Sequence, residues 1–187
     1  QVSETLQSFA EAGIELKIIS GDNPETVAAI AKQAGFSGDL RLVSGLELAV
    51  MDRGKFSGTA ASTNIFGRIT PEQKAQLVKT LRQQGRYVAI IGDGVNDVLA
   101  LKQANLGISM ESGSKATRAV ADIILLKDSF AALPHAFLEG QRIRNGIRDS
   151  LALFIVRVFC VALLVFASAM VTDIFPFLNK QSALLAI

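Results

Sequence analysis

Residues 90–97 read Ile-Ile-Gly-Asp-Gly-Val-Asn-Asp, an apolar stretch that leads directly into a turn with two carboxylates. This pattern is typical of a strand in an open α/β sheet, where ligands bind at the carboxyl ends of the strands. Asp93 and Asp97 would lie at that end, and proteins usually hold magnesium with one or two carboxylates together with substrate phosphates. Gly92 and Gly94 allow the backbone to approach an anion closely. The turn therefore predicts a site for magnesium and a phosphoryl group.

Two other interpretations of this turn need consideration. Asp-Gly and Asn-Asp are common turn formers, so an ordinary surface turn stays open from these residues alone. A calcium loop of the EF-hand type fits worse. Counted from Asp93, the third position is Val95, which has no side-chain oxygen, and the sixth is Val98 where a glycine is required.

The composition narrows the class of protein. The chain has 187 residues, a formal net charge of +2 and one cysteine, Cys160. So small a charge does not indicate a nucleic-acid partner, and a single cysteine excludes both a disulfide framework and a cysteine zinc site. Because residue 1 is glutamine and no signal-peptide pattern follows it, we expect a piece of a longer polypeptide.

Residues 151–171 form an apolar run with Arg157 as its one charge. About 20 such residues are enough for a helix to cross a bilayer, and a buried core helix is the alternative. Lys180 is the one cation after the run, whereas three arginines stand just before it: Arg142, Arg144 and Arg148. That asymmetry predicts that residues 1–150 lie in the cytoplasm. A further apolar segment begins at 182–187, so we expect a multi-pass protein of the cell membrane.

The first 128 residues alternate helical and strand patterns. Strands are predicted at 16–19, 87–91, 106–109 and 122–126, and the segment 87–91 is expected to be buried. Residues 36–67, rich in glycine and serine, are expected to be a loop with a short helix near Leu46. Such alternation predicts an α/β fold, a Rossmann-like parallel sheet covered on both faces.

Capping residues mark where the predicted helices begin and end. The helix at 24–34 has Asn23 as its cap, and a capping box at 70–73 opens a helix that ends at Gly85. A third helix is predicted at 97–104. On the helix at 24–34 the expected buried side is Val27, Ile30, Ala31 and Ala34. Residues 129–150 are predicted as a helical stalk that is interrupted by Pro134 and runs into the apolar segment.

Two further groups suit a phosphate. Ser20, Gly21 and Asp22 end a strand beside a helix amino terminus, where N–H groups and the helix dipole favour anions. Lys74 lies in the first turn of the helix that Pro71 opens, and its ammonium is a compact charge suited to phosphate. Each group alone is a weak signal, since Ser-Gly-Asp is more often an ordinary turn and a lysine on a helix surface is usually just solvated.

The order of these motifs resembles the haloacid-dehalogenase-like superfamily and, within it, the P-type cation-transporting ATPases. The matching stretches are residues 20–24, 68–74, 92–97 with 100–101, and 107–110, although the family more often has threonine at position 20. Residues 139–142 and 145–148 resemble the family's approach to its fifth transmembrane helix. The resemblance thus implies a phosphorylation domain of the haloacid-dehalogenase type, of which residues 1–128 would be the carboxyl-terminal part.

The resemblance also implies an assignment for residues 129–187. Residues 129–150 would be the stalk helix, 151–171 the fifth transmembrane helix, and 172–187 a loop with the start of the next transmembrane segment. The intact protein would be an ATP-driven pump with an aspartyl-phosphate intermediate, ATP as substrate and Mg²⁺ as cofactor. Its partners would be the membrane, the rest of the same polypeptide and a transported cation, with calcium and magnesium as candidates.

The resemblance also implies roles for the site residues. Ser20 and Gly21, next to Asp22, would hold the transferred phosphoryl oxygens, and Lys74 would offset their charge. Asp93 would ligate magnesium, while Asn96 and Asp97 would position that ligand and the phosphate, with Asp97 as a second candidate ligand.

One essential part is missing from the sequence. The family's nucleophile is the aspartate of an Asp-Lys-Thr-Gly-Thr motif, and no aspartate here is followed by Lys-Thr. We expect the nucleophile upstream and no ATPase activity from this chain alone. Two other functions stay open: a soluble phosphatase of the same superfamily, and a non-catalytic membrane-anchored protein that binds magnesium or phosphate.

Overall fold

The computed structural model describes residues 2–36 and 40–170. The chain divides into two compact units, Gln1–Pro134 and His135–Ile187. Both sheets and the predicted site residues belong to the first unit. The expected loop and further apolar segment at 172–187 lie outside the described residues.

Within its described residues, the first unit contains two parallel three-stranded sheets. In the first sheet the strand order is β1-β3-β2, with β1 at Ile18–Ile19, β2 at Leu42–Ser44 and β3 at Ile65–Gly67. In the second the order is β4-β5-β6, with β4 at Ala89–Gly92, β5 at Leu106–Met110 and β6 at Ile123–Leu125. Every strand pair is parallel. The predicted α/β class is confirmed, with the strands distributed over two sheets.

Helices separate the strands along the chain. Before β4 they are α1 (Val2–Glu11), α2 (Pro24–Gln33), α3 (Gly45–Ala49), α4 (Arg53–Ser62) and α5 (Pro71–Gln83). After it come α6 (Val98–Gln103), α7 (Lys115–Val120) and α8 (Ala132–Met170), with short 3₁₀ turns at Val95–Asp97 and Leu126–Asp128. The expected caps of α2 and α5 are present: the Asn23 side chain accepts a hydrogen bond from the Glu25 N–H, and Thr70 forms a capping box with Gln73.

For residues 36–67 the short helix expected near Leu46 is confirmed as α3, but the expectation of a loop around it was wrong. This stretch contains β2, α3, α4 and β3, and β3 is the central strand of its sheet, with Ile65 and Phe66 fully buried. A strand of three residues is too short to show a periodicity. Helix α4 contains two glycines and two serines and has little amphipathic character, so its sequence resembles a loop.

Several residues predicted to be buried are exposed. On α2 the buried residues that pack with Ile65 of β3 are Val27, Ala28 and Ala31, whereas Ile30 is 61% exposed and Ala34 is half-buried. The segment 87–91 is not a buried strand either. Tyr87 precedes β4 and is 78% exposed, and Ile91 is 38% exposed, because β4 is an edge strand that pairs with β5 on one side.

Pro134 does not interrupt the stalk. Helix α8 begins at Ala132 and continues for 39 residues to Met170. Pro134 lies in its first turn, where the missing N–H has no intrahelical acceptor to lose. The predicted stalk and apolar run are therefore parts of one continuous helix.

Candidate active site

The carboxylate of Asp97 organises the turn after β4. Its Oδ2 accepts hydrogen bonds from the main-chain N–H of Asp93, at 3.1 Å, and of Gly94, at 3.2 Å. Asp97 is buried, with 7% of its surface exposed. Gly92 makes this approach feasible, because a Cβ at that position would lie 2.5 Å from the Asp97 Cβ. Only glycine therefore allows the turn to fold back onto the end of β4.

Lys74 completes this group from a different element. Its Nζ lies 2.5 Å from Oδ1 of Asp97, and both side chains are largely buried. Thr70 and Pro71 determine where α5 starts and so place Lys74 in its first turn. Both oxygens of Asp97 are thus occupied by donors within the chain. A largely buried, hydrogen-bonded ion pair of this kind holds the ammonium in a defined position.

The Ser20–Asp22 segment lies after β1, at the carboxyl end of the other sheet. The Ser20 hydroxyl donates to the Asp22 carboxylate at 3.1 Å, and the Asp22 N–H donates back to the Ser20 oxygen at the same distance. The carbonyls of Asp22 and Ser20 accept hydrogen bonds from the N–H groups of Arg68 and Ile69. Arg68 has a φ of 52°, an uncommon conformation for a residue with a side chain. The Ser20–Asp22 turn is therefore fastened to the segment that leads into α5.

The structure thus forms two groups from the predicted site residues. Lys74, Asp93 and Asp97 are joined directly by hydrogen bonds. Ser20, Gly21 and Asp22 are joined to the start of α5 through Arg68 and Ile69. In the described ranges, no hydrogen bond or ion pair joins the two groups.

Asp93 and Asn96 have side chains available for a ligand. Both residues are exposed, and in the part of the chain that the structure describes neither side chain has a hydrogen-bond or ion-pair partner. The described residues contain no cluster of three potential metal-binding side chains. One free carboxylate on a fixed backbone fits magnesium, which keeps several waters and takes its other ligands from phosphate or from a further carboxylate.

Ser114 and Thr117, in the loop after β5 and in α7, also contact this turn, and the sequence analysis did not identify them. The carbonyl oxygen of Asp93 accepts a hydrogen bond from the Ser114 N–H at 2.8 Å, and the Thr117 hydroxyl lies 3.2 Å from it. The available signal was the Ser-x-x-Thr spacing at 114–117, which is typical of a helix amino terminus.

The opposite, amino-terminal ends of the two sheets are linked by an ion-pair cluster. Glu15, which precedes β1, binds Arg86, which precedes β4, and also Lys17 at 2.6 Å. Burial raises the pKa of the Glu15 carboxyl, but hydrogen bonds and charge interactions with Lys17 and Arg86 outweigh that effect, so its pKa lies below the usual value of 4.5.

In the second unit, α8 is the candidate membrane-spanning helix. The segment Ala132–Ala167 contains an 18-residue window with a mean hydropathy of 2.6, and none of that window is buried by the chain. Large apolar side chains such as Leu153, Phe159 and Phe166 are more than half exposed. By length and composition α8 is suited to cross a bilayer, and its surface is not that of a core helix.

Comparison with known proteins agrees with the fold. A family model described as haloacid dehalogenase-like hydrolase matches residues 1–105. The chain belongs to this family. Its parallel strands, separated along the chain by helices, are the fold expected of this family.

Individual relatives point to one branch of the family. The chain is 44% identical over 154 residues to the calcium-transporting ATPase CtpE of Mycobacterium bovis, covering 82% of this chain and 19% of that protein. It is 38% identical over 192 residues to the probable cation-transporting ATPase exp7 of Streptococcus pneumoniae, covering 96% and 24%. Among solved structures, the catalytic domain of the CPx-ATPase CopB-B matches with a TM-score of 0.55 and 25% identity, covering 73% of this chain and 44% of that one.

These relatives are P-type cation-transporting ATPases, and the haloacid-dehalogenase-like domain fits their phosphorylation domain. The chain spans 19% to 24% of the length of the two curated relatives named above.

Proposed function

We propose that this chain is part of an ATP-driven cation pump with an aspartyl-phosphate intermediate. Residues 1–128 would be the carboxyl-terminal part of the phosphorylation domain, and α8 would contain the stalk at 129–150 and the fifth transmembrane helix at 151–171. The observation that carries the proposal is the Lys74–Asp97 ion pair beside the free carboxylate of Asp93. The identity of the relatives supports the same assignment.

Each site residue has a role in this proposal. Lys74 offsets the charge of the transferred phosphoryl group, and Ser20, Gly21 and Asn96 contact its oxygens. Asp93 is the magnesium ligand of this chain. Asp97, whose two oxygens already accept hydrogen bonds, positions Lys74 and the backbone of the turn. When bound, magnesium neutralises charge that develops on the phosphoryl oxygens.

The nucleophile would come from a strand of the same polypeptide upstream of this chain. In the described ranges β1 pairs only with β3, and β4 pairs only with β5, so each has one free edge. The Glu15–Arg86 ion pair joins the segments that precede β1 and β4, and the Lys74–Asp97 ion pair joins α5 to the turn after β4. A strand that pairs with both free edges would bring its carboxyl end between Ser20 and Asp93, which is where an attacking carboxylate is needed.

The membrane arrangement follows from α8. We propose a multi-pass protein of the cell membrane with residues 1–150 on the cytoplasmic side, since the arginines at 142, 144 and 148 precede the apolar run. ATP and Mg²⁺ would be its substrate and cofactor. Calcium is the first cation to test, because one relative is named a calcium-transporting ATPase.

The test is phosphoenzyme formation by the full-length protein in membranes. With radiolabelled ATP and Mg²⁺ we expect an acid-stable, hydroxylamine-sensitive phosphoprotein. Lys74→Ala should lower the rate of its formation by roughly a hundredfold or more, because electrostatic stabilisation of a transferred group is worth several kcal/mol. Lys79→Ala, on the exposed side of the same helix, is the matched control and should keep the wild-type rate.

Three results would contradict the proposal. One is the absence of phosphoenzyme from the full-length wild type, which would favour a non-catalytic magnesium- or phosphate-binding protein. Another is an equal effect of the Lys74 and Lys79 substitutions. The third is a labelled phosphoprotein from residues 1–187 alone, which lack the Asp-Lys-Thr motif.

A further inference from the structure

Both the main-chain N–H and the main-chain carbonyl of Asp93 make hydrogen bonds, although in the described ranges its side chain has no partner. On the amino side, its N–H donates to the Asp97 carboxylate. On the carboxyl side, its carbonyl oxygen contacts the Ser114 N–H and the Thr117 hydroxyl. The first contact lies within the turn itself, whereas the second reaches across to the segment after the neighbouring strand, β5.

Thr117 is unusual because its hydroxyl is fully buried in a chain of polar contacts. The residue has no exposed surface. Its Oγ1 lies 2.8 Å from the Ser114 carbonyl oxygen, 3.2 Å from the Asp93 carbonyl oxygen and 2.9 Å from the Ser114 hydroxyl. A hydroxyl has one hydrogen to donate and two lone pairs. The threonine hydrogen therefore goes to a carbonyl, and the serine hydroxyl donates to Thr117.

The backbone next to this contact is closely packed. Gly113 precedes the Ser114–Thr117 pair, and a Cβ at position 113 would lie 2.9 Å from the Met110 carbonyl oxygen and 3.2 Å from that of Asp93. The loop after β5 is thus packed directly against the Asp93 peptide. Removal of this buried hydroxyl costs free energy, because the carbonyl that accepts its hydrogen then loses a partner without regaining water.

We propose that Thr117 is a positioning residue for the magnesium ligand Asp93. In this proposal the hydroxyl donates its one hydrogen to the Asp93 carbonyl and not to the nearer Ser114 carbonyl. Together with the Ser114 N–H it fixes the Asp93 carbonyl and with it the direction of the Asp93 side chain. Groups that orient a ligand without contacting the metal commonly change metal affinity by roughly tenfold to a hundredfold when they are removed. This inference rests on the proposed function, in which Asp93 binds the metal.

The test measures Mn²⁺ binding to the full-length protein by electron paramagnetic resonance, without ATP. Asp93→Ala defines the site, and only the Mn²⁺ that this variant fails to bind is counted. Thr117→Val keeps the shape of the side chain and removes the hydroxyl, so the half-saturating Mn²⁺ concentration should rise roughly tenfold. Thr117→Ser keeps the hydroxyl and should stay within about threefold of wild type, since the contact to Asp93 is retained.

Two controls separate positioning from folding. Thr63→Val is the same substitution at another buried threonine, which lies outside the site at the end of α4, and it should bind Mn²⁺ as wild type does. Thermal melts show whether each variant is folded. Thr117→Ala is a second hydroxyl deletion that does not require the core to accept the valine methyl.

The pattern of the variants decides the proposal. Wild-type Mn²⁺ binding by a folded Thr117→Val or Thr117→Ala protein overturns it, as does an equal loss in Thr117→Ser and Thr117→Val, which would indicate packing of the methyl group. If no hydroxyl-deletion variant folds, weakened Mn²⁺ binding by Thr117→Ser still contradicts it, because the hydroxyl is then present. Absence of phosphoenzyme from the wild type would refute the proposed pump while this Mn²⁺ pattern could still hold, so the two failures are distinguishable.

Discussion

At the scale of single residues, the site depends on close contacts made by the main chain. The sequence predicted Lys74, Asp93 and Asp97 as members of one site, and the structure joins them. It did not predict that both Asp97 oxygens are used within the chain, nor that Ser114 and Thr117 reach the Asp93 carbonyl. Such contacts depend on the register of β4 against β5, in which Gly92 pairs with Ser109. This register cannot be predicted from either segment alone.

A substitution at Gly92 should damage the turn. A Cβ there would lie 2.5 Å from the Cβ and 2.7 Å from the Cγ of Asp97, which is buried and cannot move aside without breaking its contacts. Gly92→Ala should therefore lower the free energy of unfolding by about 1–3 kcal/mol, the range for overpacking. Thermal melts of the full-length protein measure this change.

Gly94→Ala is the matched control for stability. The nearest atom to a Cβ at position 94 is 3.8 Å away, an ordinary contact distance. Its melting temperature should stay close to that of wild type. Equal losses at the two glycines would mean that the close approach of Asp97 is not what requires Gly92.

At the scale of elements, prediction succeeded where an element is long or capped. The starts of helices α2 and α5 are marked by Asn23-Pro24 and Thr70-Pro71. These caps can be predicted from sequence because they involve only neighbouring residues. Strand β3 was missed because three residues carry no period, and its burial comes from β1, β2 and distant helices. The strand β4 was identified, but its edge position was not, since pairing is a property of the whole sheet.

The apolar part of α8 should be inside the bilayer in the intact protein. Cys160, the only cysteine of this chain, lies near its middle and is exposed on the helix surface. In sealed membranes we expect Cys160 to resist a membrane-impermeant maleimide and to react after detergent solubilisation. Mass spectrometry of the peptide that contains Cys160 measures the modified fraction.

A cysteine placed at the cytoplasmic start of the same helix is the control. Ser150→Cys should react without detergent in membranes whose cytoplasmic face is accessible, because residue 150 precedes the apolar run. Rapid labelling of Cys160 before detergent is added would show that this segment is not shielded by lipid, and would contradict the proposed span.

At the scale of the whole molecule, two ion pairs join segments that adjoin the two sheets. The Lys74–Asp97 pair belongs to the candidate site, whereas the Glu15–Arg86 pair lies at the opposite end. The sequence analysis predicted one continuous parallel sheet, but in the described ranges β1 and β4 keep their free edges. Ion pairs therefore supply part of the connection between the two sheets.

The Glu15 cluster should make stability depend on pH. The pKa of Glu15 is lowered in the folded state, so its stabilising contribution is present above the unfolded value of 4.5 and is lost as the pH falls through the lower, folded-state pKa. Glu15→Gln should thus be less stable than wild type at pH 7, with the difference shrinking below pH 4.5. Because the side chain is 43% exposed, solvent screens the pair and we expect at most about 1 kcal/mol.

Melting temperatures of wild type and variant between pH 7 and pH 3.5 test this expectation. Glu25→Gln removes an exposed glutamate that takes part in no ion pair within the described ranges, and serves as the control. A difference between wild type and Glu15→Gln that stays constant over this pH range would show that the charge of Glu15 contributes no stability.

The free edges of β1 and β4 also matter while the protein is being made on the ribosome. An unpaired strand edge is a template on which strands of other copies add, and this is a common start of aggregation. If the proposed middle strand precedes residue 1, it leaves the ribosome before both edges do, so each edge meets its own partner as it emerges. The order of synthesis would then protect these two edges. In a protein with the reverse order, a chaperone would have to cover them.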